Sequence, residues 1–334
     1  MANVAADVIT EPGRRTRAPF DGWGFVGKYG ALLVLAALII AMTVLHFHTF
    51  ATKSNAINVL SQSALTAIIA MGLTFPLVAG DFDLSIGYTG SCSGVIACTL
   101  MVSDGFSIAT AFAVAVAFGA AVGAINGLIV TKIGVNPLVA TLGVGTVVVG
   151  INYAIAGGTP VALTNPVPFL HLTLGKLLGV PYPVYVMFGL ALVLWLLLNR
   201  TVTGQSMQAV GGNPVAARLS GLHVDRVRVT AFVIAGACAA IAGVLLASTS
   251  GQAASDGADG YLLTAFAACF FGTAVLSNGQ FHIVGTLVGV LTVGIGFNAI
   301  ALIGLATYYQ FLFQGALLIV GVGVGTFARR RAQA

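Results

Sequence analysis

The chain has 334 residues, of which 58% are apolar and 7% are charged, whereas an ordinary soluble domain carries about 25% charged residues. Its 14 Lys and Arg residues and 9 Asp and Glu residues give a formal net charge of +5. This composition excludes an ordinary soluble enzyme, and no basic stripe with interleaved aromatic residues indicates nucleic-acid binding. No charged residue lies between Asp259 and Arg329, an interval long enough for three membrane-spanning helices.

The chain begins with a polar leader, 1–28, before the apolar run from Tyr29 to Leu45. No small-residue cleavage site follows this run, so we expect it to be retained as the first span. Charges, prolines and turn residues divide the rest and predict an all-α polytopic membrane protein, with a transmembrane domain over 29–327 and a basic tail over 328–334. The ten predicted spans are 29–47, 57–79, 85–103, 107–131, 138–157, 183–199, 229–250, 261–276, 283–303 and 309–327.

The distribution of Lys and Arg predicts the orientation, because cytoplasmic loops of membrane proteins carry an excess of positive charge. With ten spans and both termini inside, only Lys53 and Lys176 fall outside. Asp104, Asp256 and Asp259 also fall outside. The twelve inside residues are Arg14, Arg15, Arg17, Lys28, Lys132, Arg200, Arg218, Arg226, Arg228, Arg329, Arg330 and Arg331.

Three connections between spans stand out. The segment 80–90 places Asp81 and Asp83 between two apolar spans. Asp83 precedes Leu84 and Ser85, so its carboxylate could accept backbone N–H bonds at the start of the next span; a gate and a proton site remain alternatives. The outside segment 158–183 holds five prolines and predicts an ordered loop. The inside segment 200–228 carries four arginines and is the longest cytoplasmic loop.

The chain lacks the residue patterns of a catalytic or nucleotide-binding protein. The stretch from Gly22 to Tyr29 resembles a phosphate-binding loop, but Tyr29 replaces the hydroxyl residue that would bind magnesium. The histidines are scattered, and the four cysteines have no metal-ligand spacing. We therefore predict no catalytic residue, no metal site and no cofactor in this chain, and we expect energy for any transport to come from another subunit.

A short helix is predicted within the inside loop. Asn213 is a good N-cap, Pro214 suits the first helical position and Gly221 suits the C-terminal stop. Val215 and Leu219 stand four residues apart on one face. A helix this short is marginal in water because nucleation is costly. It is therefore either a solvated turn or a docking helix that a soluble partner receives.

At these residues the chain resembles the ribose-type sugar permeases of bacterial ATP-binding-cassette importers. The segment 80–87 is similar to the family's Gly-Ile-Asp-Leu-Ser-Val-Gly element, with Asp83 at the family's Asp position and Asp81 as an additional carboxylate. Residues 283–287 and 308–310 match further positions. The cytoplasmic loop motif of the family is present as Gly211, Gly212, Asn213, Ala216, Ala217, Ser220 and Gly221.

The resemblance covers roughly residues 30–325 and departs at Ser277, Asn278 and the residues that follow, where the family has a glycine-rich basic stretch. A short internal similarity, of residues 123–126 and 133–134 to residues 294–298 and 303–304, favours an inverted repeat with five spans in each half. The family resemblance implies a type II importer-like architecture, a second permease subunit, identical or homologous, and a bacterial inner-membrane location. It also implies a cytoplasmic ATPase that binds ATP and Mg²⁺ and a periplasmic sugar-binding protein. The ATPase-coupling residues would be Asn213, Pro214, Val215, Ala216, Ala217, Arg218, Leu219, Ser220 and Gly221.

A passage for a sugar pairs polar side chains with aromatic rings, because a sugar has hydroxyl groups and an apolar face. Structural roles, with asparagines bonded between helices and aromatic rings facing lipid, are an equal alternative. An ATP-independent carrier or facilitator, and an importer permease for a vitamin, an amino acid or an autoinducer-like molecule, also stay open. The gate and pathway candidates are Asp83, Ser85, Phe82, Asn126, Asn152, Phe297 and Asn298.

Overall fold

The computed structural model describes residues 22–275 and 279–332, and this part of the chain is predominantly α-helical. The first half contains α1 (Gly22–Leu45), α2 (Phe47–Phe50), α3 (Lys53–Val78), α4 (Ile86–Ser103), α5 (Ile108–Leu128) and α6 (Pro137–Ala156). The second half contains α7 (Val167–Leu174), α8 (Tyr182–Arg200), α9 (Val202–Gly212), α10 (Pro214–Leu219), α11 (Val224–Ser250), α12 (Tyr261–Gly272), α13 (Ile283–Leu302) and α14 (Tyr308–Ala332).

Seven of the described helices are long and apolar enough to cross a membrane: α3, α4, α5 with its π-helical extension to Ile133, α6, α8, α11 and α13. Three shorter apolar segments, Tyr29–Leu45, Tyr261–Gly272 and Tyr308–Gly323, lie in α1, α12 and α14. The all-α polytopic membrane fold is thereby confirmed. The count of ten spans stays a prediction, because the 12 residues of α12 extend only about 18 Å, less than the hydrocarbon thickness.

Local sequence signals start and end these helices. Thr52 and Ser107 accept the backbone N–H groups of Asn55 and Thr110, so each caps its helix. Asn136 caps α6 in the same way, with a proline at the first helical position. The predicted start of the seventh span at 229 was five residues late, because α11 already includes Asp225, Arg226 and Arg228. A charged residue does not end a helix when its side chain can reach a partner or solvent.

The predicted outside loop 158–183 is ordered. It contains α7 and strands β1 (Val161–Ala162), β2 (Lys176–Leu177) and β3 (Val180–Pro181). Strand β1 pairs antiparallel with β4 (Gln252–Ala253), and β2 pairs with β3. Ser248 of α11 donates a hydrogen bond to the Phe169 carbonyl and contacts the Thr173 hydroxyl at 2.9 Å. The loop is therefore fastened to the end of α11.

The core of the bundle forms where α3 and α11 run antiparallel and pack against each other. Gly72 of α3 lies against Cys238 and Ala235 of α11, and nearer one end Asp81 meets Arg228. Glycines bring α4 and α5 close to α11: a Cβ atom on Gly243 or Gly236 would overlap the carbonyl oxygen of Gly90 or Gly119. Helices in lipid associate through such close backbone contacts, since the lipid supplies no hydrophobic drive.

The two halves of the bundle share a pattern. Helix α3 ends before a left-handed glycine, Gly80, and α11 before another, Gly251. Each glycine leads into a non-helical segment with two aspartates, 79–85 (the first linker) and 251–260 (the second linker), and then into α4 or α12. Because α3 and α11 run in opposite directions, this pattern supports the inverted repeat, which stays a prediction.

Parts of the sequence interpretation lie outside the described residues: the leader through residue 21 with Arg14, Arg15 and Arg17, the positions Ser277 and Asn278, and the last two residues. Helix α1 begins at Gly22, inside the predicted leader, and α14 continues to Ala332, inside the predicted basic tail. The boundaries at 28 and 328 therefore do not coincide with helix ends.

The close contact between α4 and α11 leads to a stability prediction. Gly243→Ala places a methyl group against the Gly90 carbonyl, so we expect it to lower the free energy of unfolding by about 1–3 kcal/mol, as overpacking does. Thermal unfolding of the detergent-solubilised chain measures the change. Gly189→Ala is the matched control, since a methyl group there meets no atom within 4 Å. Equal thermal stability of the two variants would contradict the packing account.

Candidate functional site

The most distinctive surface feature of one end of the bundle is the short helix α10, and we call this end the α10 end. The Asn213 side chain accepts the backbone N–H groups of Val215 and Ala216, both at 3.0 Å. Gly221 ends the turn with a φ of +88°. The predicted helix is confirmed, and its apolar residues Val215 and Leu219 are 67% and 85% exposed.

Contacts with its neighbours hold α10 in place. Ala217 is buried against Val210 of α9 and Val224 of α11. Arg218 donates to Asp225 at 3.2 Å, and Lys132 donates to the other oxygen of the same carboxylate at 2.8 Å. These ion pairs are exposed and each contributes little to stability. Together with the Asn213 cap they set the orientation of α10 against α11.

The first linker lies beside α9 and α11. Gly211 packs so closely on the Val78 carbonyl that no larger residue fits there. Asp81 is 2% exposed and accepts two hydrogen bonds from the Arg228 guanidinium, one of them from Nε at 2.7 Å. A bidentate pair of this kind fixes the orientation of the guanidinium group relative to the carboxylate as well as the distance between them. The α9–α11 region and the first linker are thus joined by a backbone contact and by an ion pair whose carboxylate is buried.

Asp83, a candidate gate residue, is fully buried between the first linker, α4 and α5. Its Oδ1 accepts the Ser85 backbone N–H at 2.9 Å and the Ser85 hydroxyl at 2.6 Å, and Ser85 Oγ accepts a bond from Asn126 at 2.8 Å. The expected turn at the start of α4 is therefore present, but Asp83 does not cap the helix, because the N-cap residue is Ser85 and the Asp83 carboxylate accepts the N–H group of Ser85 itself. No described residue bonds the second oxygen of Asp83 or the amide oxygen of Asn126. Burial raises the pKa of Asp83 to about 6.

Phe82, between the two aspartates, joins an aromatic cluster. Its ring stacks on Phe266 and Phe270 of α12, with centroids 6.3 Å apart in each case, and Phe281 meets Phe270 edge-on. The first linker therefore contacts α12, the helix that follows the second linker. A displacement of the first linker would disturb this stack.

The remaining asparagine candidates have structural partners. Asn152 donates to the Ser255 carbonyl in the second linker at 2.7 Å. Asn298 and Asn55 exchange two hydrogen bonds, of 2.9 and 3.1 Å, between α13 and α3. Asn298 is thus a part-buried asparagine bonded between helices, Asn152 is a buried asparagine bonded to the second linker, and Asn126 belongs to the Asp83 cluster. Of the sequence candidates, only Phe297 borders a cavity between α3, α12, α13 and α14.

This cavity, which we call the Gln314 cavity, lies toward the end of the bundle opposite α10 and has a volume of about 460 Å³. It is bordered by α3, α11, α12, α13, α14 and the second linker. Sequence reasoning missed its polar residues, although Gln310 and Gln314 stand four apart on one face of an apolar helix. The polar side chains at its wall are those of Ser61, Gln62, Ser63, Thr66, Thr249, Tyr261, Thr264, Gln310 and Gln314.

Comparisons with known proteins show the family of the chain. The family model described as the permease component of branched-chain amino acid transport systems matches residues 55–322. The ribose import permease RbsC of Bacillus subtilis is 36% identical over 92% of this chain and 94% of its own. The L-arabinose ABC transporter permease AraH of Azospirillum brasilense is 33% identical over 95% and 93%. No solved structure matches the chain significantly.

The buried ion pair at the α10 end can be tested by a double-mutant cycle. Arg228→Gln leaves the Asp81 carboxylate buried without a counter-charge, and we expect a loss of about 3–5 kcal/mol in the free energy of unfolding. The double variant Asp81→Asn/Arg228→Gln removes both charges and should lose less than Arg228→Gln alone. Denaturant unfolding in detergent micelles gives the coupling energy. Strictly additive losses would show that the two side chains do not interact.

Asp83 leads to a pH prediction. Because its folded pKa of about 6 exceeds the ordinary value of 3.8, the folded state favours the neutral carboxyl. This contribution to stability is full below 3.8 and is lost as the pH rises through 6, a change of about 3 kcal/mol. We expect Asp83→Asn to abolish this part of the pH dependence of thermal unfolding. Identical pH profiles for the variant and the parent chain would refute the assignment.

Proposed function

The chain belongs to the family of transport-system permease components, and on that premise we propose that it forms the membrane pathway of an ATP-driven importer for a monosaccharide or a similar solute. Its relatives are permease components and not enzymes. ATP and Mg²⁺ bind to a separate ATPase subunit in this proposal, and a binding protein delivers the solute. The relatives do not favour an ATP-independent carrier.

The observation that carries the proposal is the exposed apolar pair on α10. A six-residue helix is unstable by itself in water, yet this one is capped, anchored through Ala217 and Arg218, and presents Val215 and Leu219 outward. Such a surface fits a groove on a soluble partner. We assign it to the ATPase, with Asn213, Pro214, Ala216, Ser220 and Gly221 shaping the helix.

The charge distribution supports an orientation with α10 in the cytoplasm of a bacterial cell and the chain in the inner membrane. Among the residues with described side chains, Lys53 and Lys176 lie toward the opposite end. The positively charged residues toward the α10 end are Lys132, Arg200, Arg218, Arg226 and Arg228. Cytoplasmic loops carry this excess of positive charge. Both termini are cytoplasmic in the same arrangement.

The proposed mechanism couples ATPase movement to the pathway through the first linker. Movement of α10 passes to α11 through Arg218 and Asp225, and to the linker through Arg228 and Asp81. The linker carries Phe82, stacked on α12, and Asp83, bonded to the start of α4. We propose that two permease subunits, identical or homologous, alternate between outward and inward access in this way. Reversing a 1:99 equilibrium takes about 5.5 kcal/mol, which ATP binding by the partner would supply.

Replacing the exposed apolar pair tests the docking assignment. Val215→Asp/Leu219→Asp places two carboxylates in the proposed contact, and we expect the ATPase to be lost from the tagged permease, because desolvating them opposes binding. Affinity purification from membranes, followed by an ATP-hydrolysis assay of the eluate, measures recovery of the ATPase.

Leu178→Asp is the matched control for that experiment, because Leu178 is equally exposed but lies in the β2–β3 turn at the opposite end. The control should recover the ATPase normally, and both variants should insert into the membrane. Normal recovery with the double variant would remove the docking assignment. ATP hydrolysis or uphill uptake by the purified chain alone would remove the proposal as a whole.

A further inference from the structure

We infer that the turn between α5 and α6 is a second docking element for the ATPase, with Ile133 as its contact residue. This turn, residues 129–134, which we call the π turn, consists of the π-helical segment Ile129–Ile133 and the left-handed Gly134. The inference rests on the proposed function and extends the partner surface beyond α10. Ile133 is 73% exposed, and a Cβ atom added to Gly134 would meet no atom within 4 Å. The tip of the turn is therefore open to a partner.

The π-helical geometry determines the direction of the Lys132 side chain. In an α-helix, Lys132 would be the neighbour of Leu128, four residues earlier, which is exposed. A π-helix bonds residues five positions apart, so Lys132 is instead the neighbour of Gly127, which packs on Val229 of α11. Turns of this kind are rare and frequently occur at functional sites. This one brings Lys132 to α11 and leaves Ile133 exposed.

One carboxylate joins the π turn to α10. Lys132 donates to one oxygen of Asp225 at 2.8 Å, and Arg218 of α10 donates to the other at 3.2 Å. Ile133 directly follows Lys132 in the chain, and the exposed Leu219 directly follows Arg218. Because successive Cα atoms are only about 3.8 Å apart, the two apolar residues flank the same carboxylate. Exposed apolar side chains grouped inside a polar rim mark interaction sites, whereas single ones need no explanation.

The position of this surface favours a soluble partner over lipid. Helix α11 has 27 residues and is about 40 Å long, whereas the hydrocarbon core is about 30 Å thick. Its first turn carries Asp225 and Arg226, and Ser248 fastens its last turn to the outside loop. Asp225 and its partner Lys132 therefore lie beyond the hydrocarbon core, and so does the adjacent Ile133. The soluble partner that receives α10 fits this position.

The π turn is anchored to the bundle, as α10 is. Val130 lies in a buried cluster with Phe232 of α11. A force on Ile133 therefore moves α5, whose Asn126 donates to the Ser85 hydroxyl at the end of the first linker at 2.8 Å. The ATPase then reaches the first linker by two routes, one through α11 and one through α5. Two separate contacts also fix the orientation of the ATPase more strictly than one six-residue helix does.

Site-specific photocrosslinking in membranes that contain the permease and its ATPase tests the inference. The four native cysteines of the chain are all buried, so benzophenone maleimide labels an introduced, exposed cysteine. Ile133→Cys should give a covalent adduct with the ATPase on irradiation, which mass spectrometry of tryptic peptides identifies. Val167→Cys is the matched control, because Val167 is 69% exposed but begins α7 in the outside loop. The control should give no ATPase adduct.

A binding titration of labelled ATPase against the detergent-solubilised permease measures the strength of the contact. Ile133→Asp should weaken binding about tenfold, because docking would desolvate a carboxylate. Ile133→Val keeps an apolar side chain and should bind within about twofold of the parent chain. Val167→Asp, which places the same charge in the outside loop, should also bind like the parent chain. Thermal unfolding shows that each variant is folded.

Leu219→Cys, crosslinked in parallel, separates the inference from the proposed function. An ATPase adduct at position 219 with none at position 133, or unchanged ATPase affinity of Ile133→Asp, would overturn the inference and leave the docking assignment of α10 standing. Adducts of position 133 with lipid alone, or with a second copy of the permease alone, would overturn it as well. If neither position gave an ATPase adduct, the inference and the docking assignment of α10 would both fail.

Discussion

The contact between α11 and its neighbours is the constraint on which the remaining structure depends. Small residues let its backbone touch α4 and α5, and the same helix runs antiparallel along α3. In lipid such packing replaces the hydrophobic drive of a soluble core. It also determines which polar groups meet, because Arg228 and Ser248 are carried on this one helix and lie toward its two ends.

Asp81 and Asp225 each lie beside a positive charge, whereas one oxygen of the buried Asp83 has no described partner. The bidentate pair of the buried Asp81 and the part-buried Arg228 lies where α11 meets the first linker, and Asp225 pairs with Lys132 and Arg218 at the surface. A buried pair contributes specificity of arrangement more than net stability. Here it defines the position of a linker that also touches α12 and α4, so one ion pair relates the exposed helix α10 to the interior of the bundle.

Polar groups without charge dominate the opposite half. The Gln314 cavity is bordered by amides, hydroxyl groups and aromatic rings, whereas Asn152 of α6 and Asn298 of α13 bond protein partners. A wall of this kind offers hydrogen-bonding groups without a charge.

The amino-acid sequence determined the membrane-spanning helical class, the short helix from Pro214 and the family, because apolar length, capping residues and a contiguous motif are local properties. Helix packing decided which polar side chains bond each other and which border the cavity. The sequence candidate Asn298 bonds another helix and Asn152 bonds the second linker, and the cavity brings together residues from α3 and α14 that are some 250 positions apart. Hydropathy does not show which face of an apolar helix meets which neighbour, since lipid and protein interiors favour the same side chains. Only the tertiary structure therefore distinguished a polar residue that bonds another helix from one that faces a cavity.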